Sequence, residues 1–364
     1  MKRPIRGTVN LVLSLLAGFL GLGAVLYFAG WRETFAAMRA LNAAGIASVT
    51  GSVALGVLMW VLSWAAILRA YGIRIPWGTM AGARLSCFAV SYLTPTLYFG
   101  GEPVRGLLVI TPGGPPATRV FATIIVERFL GGLSMVAFML VGGFHAITAP
   151  SIPVAQKRML IGGLAFVTFW ILAGLANFAL NLKWVSRLLR ALGVAVPRWR
   201  SRLERASAKV SETEDEVSYA FTRHWRGTLA AFVVQSAATL LVYMRPQVFF
   251  GFAIGRSFDV SQLSVFFTFS ILMGFFLWIT PGGLGTSEAA TLGVFHLMAP
   301  EIAKGEAVAY SLIFKFAEAV FVGIGLAYLL QRGVRLLGRG LTVQQVIQQS
   351  GDAAIRDKEH PPSA

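Results

Sequence analysis

The sequence predicts an all-α integral membrane protein with about six transmembrane helices and two re-entrant, broken-helix hairpins, arranged as an inverted repeat. Three observations carry this. Hydrophobic residues make up 56% of the chain and charged residues 13%, with a mean hydropathy of +0.68, a balance too apolar for a soluble domain. Six apolar stretches are long enough to cross a hydrocarbon layer of about 30 Å at about 1.5 Å per residue. Two more are interrupted, the clearer one at Thr280-Pro281-Gly282-Gly283-Leu284-Gly285-Thr286-Ser287-Glu288, where a proline and three glycines within five positions defeat a continuous helix. Backbone released from helical hydrogen bonding at membrane depth persists only where protein or water surrounds it, so such a break points to a site.

Taken in order, Leu11–Ala29 follows Lys2, Arg3 and Arg6. It is long and lacks a small-x-small cleavage site before Trp31, so a retained span is expected rather than a signal peptide. Trp31–Gly45 reads as a short connection and Ile46–Tyr71 as the second crossing, with Arg69 and Arg74 marking a cytoplasmic end. Ala83–Leu93 and Gly106–Ile110 are each too short to cross. Between them lie Thr94-Pro95 and Gly100-Gly101-Glu102-Pro103-Val104-Arg105, so a hairpin entering and leaving on the cytoplasmic side is predicted, with Thr111–Pro116 as its exit. Val120–Gly143 then crosses outward carrying Glu127-Arg128, and Leu160–Asn181 crosses back.

Residues 182–226 are polar, with ten Lys or Arg against five Asp or Glu, and that bias places them in the cytoplasm together with Arg332, Arg335 and Arg339. Within them Trp184, Arg187, Leu188, Arg190 and Leu192 fit either an interfacial amphipathic turn on anionic lipid or a solvated helical loop. Thr228–Phe250 crosses outward, interrupted by Arg245-Pro246. Leu263–Ile279, the glycine break and Ala289–Met298 form the second hairpin, from the outer side, and Ala307–Leu330 is the last crossing. The membrane domain thus covers 1–335, with repeat halves at about 46–145 and 228–330. Both termini are expected in the cytoplasm, and 336–364 is a partly disordered tail, Ser350–Ala364 being polar.

The two breaks share an interval. Thr94-Pro95 precedes Glu102 by eight and seven residues, and Thr280-Pro281 precedes Glu288 by the same. Each hairpin is followed by a span with two charges, Glu127-Arg128 in one and Lys315 with Glu318 in the other. Span, broken hairpin and charged span, written twice in opposite orientation, is the organisation of transporters whose sites lie at interrupted helices.

Eight ionisable residues fall in apolar surroundings: Glu102, Arg105, Glu127, Arg128, Arg245, Glu288, Lys315 and Glu318. Each costs about 2.5 to 3.5 kcal/mol at a helix centre on insertion scales, so these four acids and four bases are expected to pair. The structural reading pairs Glu102 with Arg105 and Lys315 with Glu318 at i and i+3. The functional reading places Arg105, Arg128, Lys315 and Arg245 around an anionic headgroup, because guanidinium forks match phosphate oxygens. Glu102 and Glu288 then neutralise those bases, meet a cationic headgroup or carry protons. Gly282, Gly283 and Gly285 would either expose backbone N–H groups to a ligand or simply permit the turn.

Other chemistries find little support. The net charge of +16 is distributed as a topology signal between spans, which argues against nucleic acid. Cys87 is the one cysteine, and the histidines lack metal-ligand spacing, so no metal or other cofactor is expected. The acidic run Glu212, Glu214, Asp215 and Glu216 reads as an ion-paired helix face. Ser287 lacks the strand, the second glycine and the histidine of a nucleophile elbow, so no catalytic residue is assigned.

The combination of Gly100-Gly101-Glu102-Pro103-Val104-Arg105, Glu127-Arg128-Phe129, Thr280–Gly285 with Glu288, and Lys315 with Glu318 resembles the flippase-like membrane domain of lysylphosphatidylglycerol synthases. Stand-alone relatives of that domain are linked to hopanoid, glycolipid and polyprenyl-linked sugar pathways. The resemblance implies a bacterial inner-membrane protein that moves a lipid between leaflets, with Glu102, Arg105, Glu127, Arg128, Glu288 and Lys315 on motif positions. Arg245 enters from burial cost alone. Full-length synthases add a soluble aminoacyl-transferring domain, whereas 34 residues follow Leu330 here, so a stand-alone member is expected. A membrane lipid is the expected substrate. The alternatives are a scaffold for lipid or polysaccharide biosynthesis enzymes, acting through residues 182–226, and a transferase using Glu102 or Glu288 as base.

Overall fold

A computed structural model describes residues 5–94, 100–110, 114–149, 152–277 and 280–338. Pro95, Thr111 to Gly113, Ile279, Arg339 and the tail therefore lie outside the described residues. Those described are helical throughout their long apolar runs, since a helix satisfies its own N–H and C=O groups where lipid offers no partner. In order the helices are α1 (Ile5–Ala29), α2 (Trp31–Arg39), α3 (Ala43–Ala70), α4 (Trp77–Leu93), α5 (Glu102–Val109), α6 (Ala117–Thr148) and α7 (Val154–Ala179). They continue with α8 (Trp184–Ala195), α9 (Arg200–Thr222), α10 (Trp225–Tyr243), α11 (Arg245–Ile254), α12 (Val260–Leu277), α13 (Thr286–Met298) and α14 (Lys304–Gly338).

Five of these are long and apolar enough to cross a membrane: α3, α6, α7, α10 with α11 as one span, and α14. Counted as one span, the bent pair α1–α2 brings the number to six, and the protein is an all-α, multi-pass membrane protein. Pro246 stands in the first turn of α11, where it has no helical partner to lose, so Arg245-Pro246 does not end the span. The predicted connection Trp31–Gly45 instead contains α2, turned 87° from α1 at Gly30 (φ 87°). It buries Thr34 and Ala37 and exposes Trp31, Arg32, Phe35 and Arg39, a helical period too short and polar to read as a span.

Helix pairs close on one another antiparallel. Along α3 and α10–α11, Gly45 meets Phe252, the Ser63 hydroxyl donates to the Ala231 carbonyl (3.0 Å), and Ala70 covers Gly227. On α4 and α14, Tyr328 covers Gly82 and the Ser86 hydroxyl donates to the Gly325 carbonyl (2.9 Å). The core divides along the long helices. Val61 to Leu68 of α3 and Val120 to Leu130 of α6 pack with α4 and α5, whereas Val49 and Val53 of α3 and Met139 and Ala146 of α6 pack with α12 and α13. The two interrupted hairpins, α4–α5 and α12–α13, therefore occupy opposite ends of the bundle.

The polar segment 182–226 is also helical. The N-terminus of α8 is held by Glu214, whose carboxylate accepts from the Val185 and Ser186 N–H groups (3.1 and 3.2 Å). Asp215 accepts from Lys183 and Asn181, and Glu216 pairs with Arg119, so the second half of the acidic run is ion-paired, while Glu214 caps α8 and Glu212 accepts from the Thr118 hydroxyl. Partial burial works to raise the Asp215 carboxyl, but those hydrogen bonds outweigh it and hold the group below the usual carboxylate range. Against α9, α8 buries Ser186 and Gly193 and leaves Trp184, Leu188 and Leu192 exposed, an outward apolar face that favours the interfacial reading.

Close helix approach gives a first prediction. A Cβ at Gly325 would collide with the Leu85 carbonyl on α4, whereas nothing lies within 4 Å of one at Gly323, two residues away. Gly325→Ala is expected to destabilise by about 1–3 kcal/mol through overpacking, and Gly323→Ala to be neutral or slightly stabilising. Thermal melting of the two variants in detergent reads the difference, and equal melting temperatures would contradict the close packing of α4 on α14.

Candidate functional site

The second break is built by its own residues. The Thr280 hydroxyl donates to the Leu284 carbonyl (2.8 Å) across a single 3-10 turn, Pro281–Gly283. Gly282, Gly283 and Gly285 have φ values of 63°, 61° and 79°, backbone that a side chain disfavours. Their surroundings are protein: a Cβ at Gly282 would lie 2.7 Å from the Tyr92 ring, and one at Gly285 would lie 2.7 Å from the Gly21 backbone of α1. The Gly283 N–H donates to the Thr280 carbonyl (2.9 Å) and the Gly285 N–H to Glu288 Oε2 (2.8 Å). These three glycines thus serve the turn and close packing, and the N–H groups of Gly283 and Gly285 are taken within the break itself.

Glu288 is 0% exposed and stands at the third position of α13, where its carboxylate closes the helix start in the manner of a capping box. Its other oxygen accepts from the Ser311 hydroxyl (3.3 Å) and lies 2.6 Å from Lys315 Nζ, both on α14. One turn further along α14, Glu318 Oε1 meets Arg245 Nη1 at 2.8 Å, with the Arg245 guanidinium over the Phe314 ring. The Arg245–Glu318 pair borders a narrow crevice lined also by Ser52, Gly56, Trp60 and Phe88, between α3, α4 and α10.

At the first break α5 folds back on α4. The Gly101 N–H donates to the Ser91 hydroxyl (2.9 Å), and a Cβ at Gly101 would strike the Cys87 carbonyl. Glu127 of α6, 2% exposed, receives Arg105 Nη1 (2.9 Å) on one oxygen and Arg84 Nη2 (3.3 Å) on the other. Both guanidiniums lie over tryptophans of α3, Arg105 over Trp64 at 4.3 Å and Arg84 over Trp60 at 5.1 Å, so the indole faces meet cationic surface that has no further carboxylate. Arg128 Nη2 lies 2.5 Å from Glu102 Oε1 and 3.8 Å from Cys87 Sγ. The side chains of Arg128 and Glu102 keep 27% and 19% of their surface open, unlike the sealed Arg105–Glu127 pair.

All eight predicted ionisable residues are therefore in ion pairs; the local i, i+3 pairing does not occur, and Glu102 and Glu288 meet bases of the site, Arg128 and Lys315. Glu102 does not pair with Arg105, nor Lys315 with Glu318; each reaches another helix. At the start of α5, Glu102 faces the passing Arg128, while Arg105, one turn on, is buried beneath Trp64. Sequence reasoning missed Arg84, which stands at the second position of the run Ala83–Leu93 and reads as its flank; because α4 starts at Trp77, it lies in mid-helix. It also missed Trp60, Trp64 and Tyr92. Tyr92 joins the halves, covering Gly282 while its hydroxyl lies within electrostatic range of Glu288, Glu318 and Arg245. The halves share a scheme: the glutamate after each break pairs with a base of the next long helix, Glu102 with Arg128 and Glu288 with Lys315, and that helix's acid takes an upstream arginine.

The contrast between sealed and open pairs is measurable. Glu127→Gln leaves two buried arginines short of a counter-ion and is expected to cost about 3–5 kcal/mol. Glu102→Gln, at a partly open pair where the guanidinium left behind keeps an open flank, is expected to cost well under that. Melting temperatures in detergent should fall steeply for the first and little for the second; the reverse order would refute the burial assigned to Glu127.

Relatives of the chain are membrane proteins. It is 22% identical over 316 residues to a UPF0104 membrane protein of Pyrococcus horikoshii, covering 83% of this chain and 90% of that protein. It is 24% identical over 300 residues to a UPF0104 membrane protein of Methanothermobacter thermautotrophicus, covering 79% and 83%. Residues 10–325 match the family described as the lysylphosphatidylglycerol synthase TM region, a stretch that contains both breaks and every residue of the two charged clusters. Matched over most of its length, the chain belongs to the lysylphosphatidylglycerol synthase TM region family.

Proposed function

We propose that the protein translocates an amphiphilic lipid between the leaflets of a bacterial inner membrane, its charged headgroup passing the two clusters while its tails stay in the bilayer. The observation that carries this reading is the pair of helix breaks, each ending in a glutamate ion-paired to the next long helix, which meet through Gly282 and Tyr92 although their hairpins pack at opposite ends of the bundle. Such an arrangement fits two re-entrant hairpins of an inverted repeat, with halves near 46–145 and 228–330, in which alternating access rocks one half against the other. The reading takes the bent α1–α2 pair as one of six crossings, which puts both ends of the membrane region on one side, and takes the basic residues of 182–226 and of the end of α14 as the mark of the cytoplasm.

In this reading Arg128 and Glu102 form the receiving pair. A headgroup phosphate takes the place of Glu102 on Arg128, and the released carboxylate is free for a cationic portion of the same headgroup. Removing one side chain of a pair exposes the other charge, so exchange of partners, rather than loss of them, keeps the process within reach at membrane depth. Transport, not catalysis, is the proposed activity, driven by a gradient of lipid, proton or potential.

Reconstitution into liposomes with headgroup-labelled lipids tests the proposal. Accelerated leaflet exchange of at least one anionic or zwitterionic lipid is expected, and Glu102→Gln is expected to slow it at least about tenfold, the equivalent of 1.4 kcal/mol, while melting stays close to wild type. Failure of the wild-type protein to accelerate exchange of any such lipid would end the translocase reading.

A further inference from the structure

The surface of α2 belongs to neither charged cluster. Nine residues long, it leaves α1 at 87° through Gly30, so if α1 crosses the bilayer α2 lies along its plane. Its inner face, Thr34 and Ala37, rests on the protein, the backbone and Cβ of Glu33 pass Gly305 at the start of α14, and the Glu33 carboxylate folds back over Gly30. The outer face is Trp31, Arg32, Phe35, Ala36 and Arg39, which together line an open recess. Trp31 and Phe35 are 55% and 46% exposed, and the Arg32 guanidinium stacks over the Trp31 ring at 5.2 Å. No acid lies within ion-pair distance of Arg32 or Arg39 among the described residues.

Trp31, Arg32, Phe35 and Arg39 share one face because they sit at i, i+1, i+4 and i+8, within about 100° of one another on a helix of 3.6 residues per turn. An aromatic pair interleaved with two arginines suits the headgroup layer: the rings enter the boundary of the acyl chains, and each guanidinium, one flanked by an indole, keeps its N–H edge for phosphate oxygens. We propose that this face of α2 is a binding site for anionic phospholipid, seating a headgroup phosphate between Arg32 and Arg39 in the leaflet at the α1–α2 corner. The absence of an acid on the face and its orientation along the bilayer select a lipid headgroup over a protein partner. The site is separate from the proposed translocation route and stands or falls independently of it.

The test uses the full chain in phosphatidylcholine nanodiscs doped with equal amounts of either brominated phosphatidylcholine or brominated phosphatidylglycerol. Subtracting the fluorescence of Trp31→Phe isolates the Trp31 signal from the other tryptophans. The expected result is stronger quenching by brominated phosphatidylglycerol, reflecting an enrichment of about fivefold per arginine near the anionic lipid, with the preference shrinking as salt is raised. The exposed double variant Arg32→Gln/Arg39→Gln is expected to abolish the preference while Trp31 remains quenched by both lipids. Equal quenching by the two lipids in the wild type, a preference that survives in the double variant, or a Trp31 signal insensitive to either brominated lipid would each overturn the proposal.

Discussion

A charge held at membrane depth must meet its counter-ion there, and Glu127 shows how far the fold is arranged around that requirement. Its carboxylate draws Arg84 from α4 and Arg105 from α5 onto α6, and both guanidiniums are roofed by tryptophans of α3. Four helices are thereby fixed to one another at a point where apolar packing alone is weakly directional. Hydrophobic contact against lipid distinguishes poorly between helix faces, because lipid tails are as apolar as leucine. A buried carboxylate tolerates very few arrangements of its neighbours. The same requirement operates on α14, where Lys315 and Glu318 bind the helix to α13 and to the α10–α11 span.

These constraints leave different freedoms at different places. Glu288 is committed three ways, to its own helix start, to Ser311 and to Lys315, and nothing of it is exposed. Glu102 has one described ionic contact and an open flank. Breaking the former disturbs a helix terminus as well as an ion pair, so the break at Pro281 is better suited to hold geometry, and the break at Gly101 to exchange partners. The glycines of the second break follow this division, since their close approaches are filled by Tyr92 and by the backbone of α1.

Much of the fold was legible in the sequence because its signals are long or sterically absolute. Six apolar runs and the Pro-Gly clusters required neither partner nor context to be read. The helix α2 escaped because nine residues with three charges read as a connection between spans, and only the bend at Gly30 gives them a role. At the site, the identity of the buried charges was legible from their burial cost, and their pairing only in outline: the tip glutamates neutralise bases of the site, but which base each takes was not legible. Local spacing favoured Glu102 with Arg105, whereas the actual choice depends on which helix passes which tip, a matter of tertiary distance. Arg84 was hidden by the start of its helix: counted from Ala83 it is a flank, and counted from Trp77 it is interior.

The two clusters also differ in their sum. Around Glu127 stand three arginines and two glutamates, so one positive charge is in excess, while around Glu288 two bases and two acids cancel. A unit charge that moves through the whole membrane potential changes its energy by about 2.3 kcal/mol for each 100 mV. Displacing the Glu127 cluster as a body along the bilayer normal therefore does electrical work, whereas the same displacement of the Glu288 cluster does almost none. The membrane voltage distinguishes between two clusters built to the same scheme: the one that holds Arg84 is sensitive to it when it moves whole, and the one beside the Pro-Gly break is indifferent.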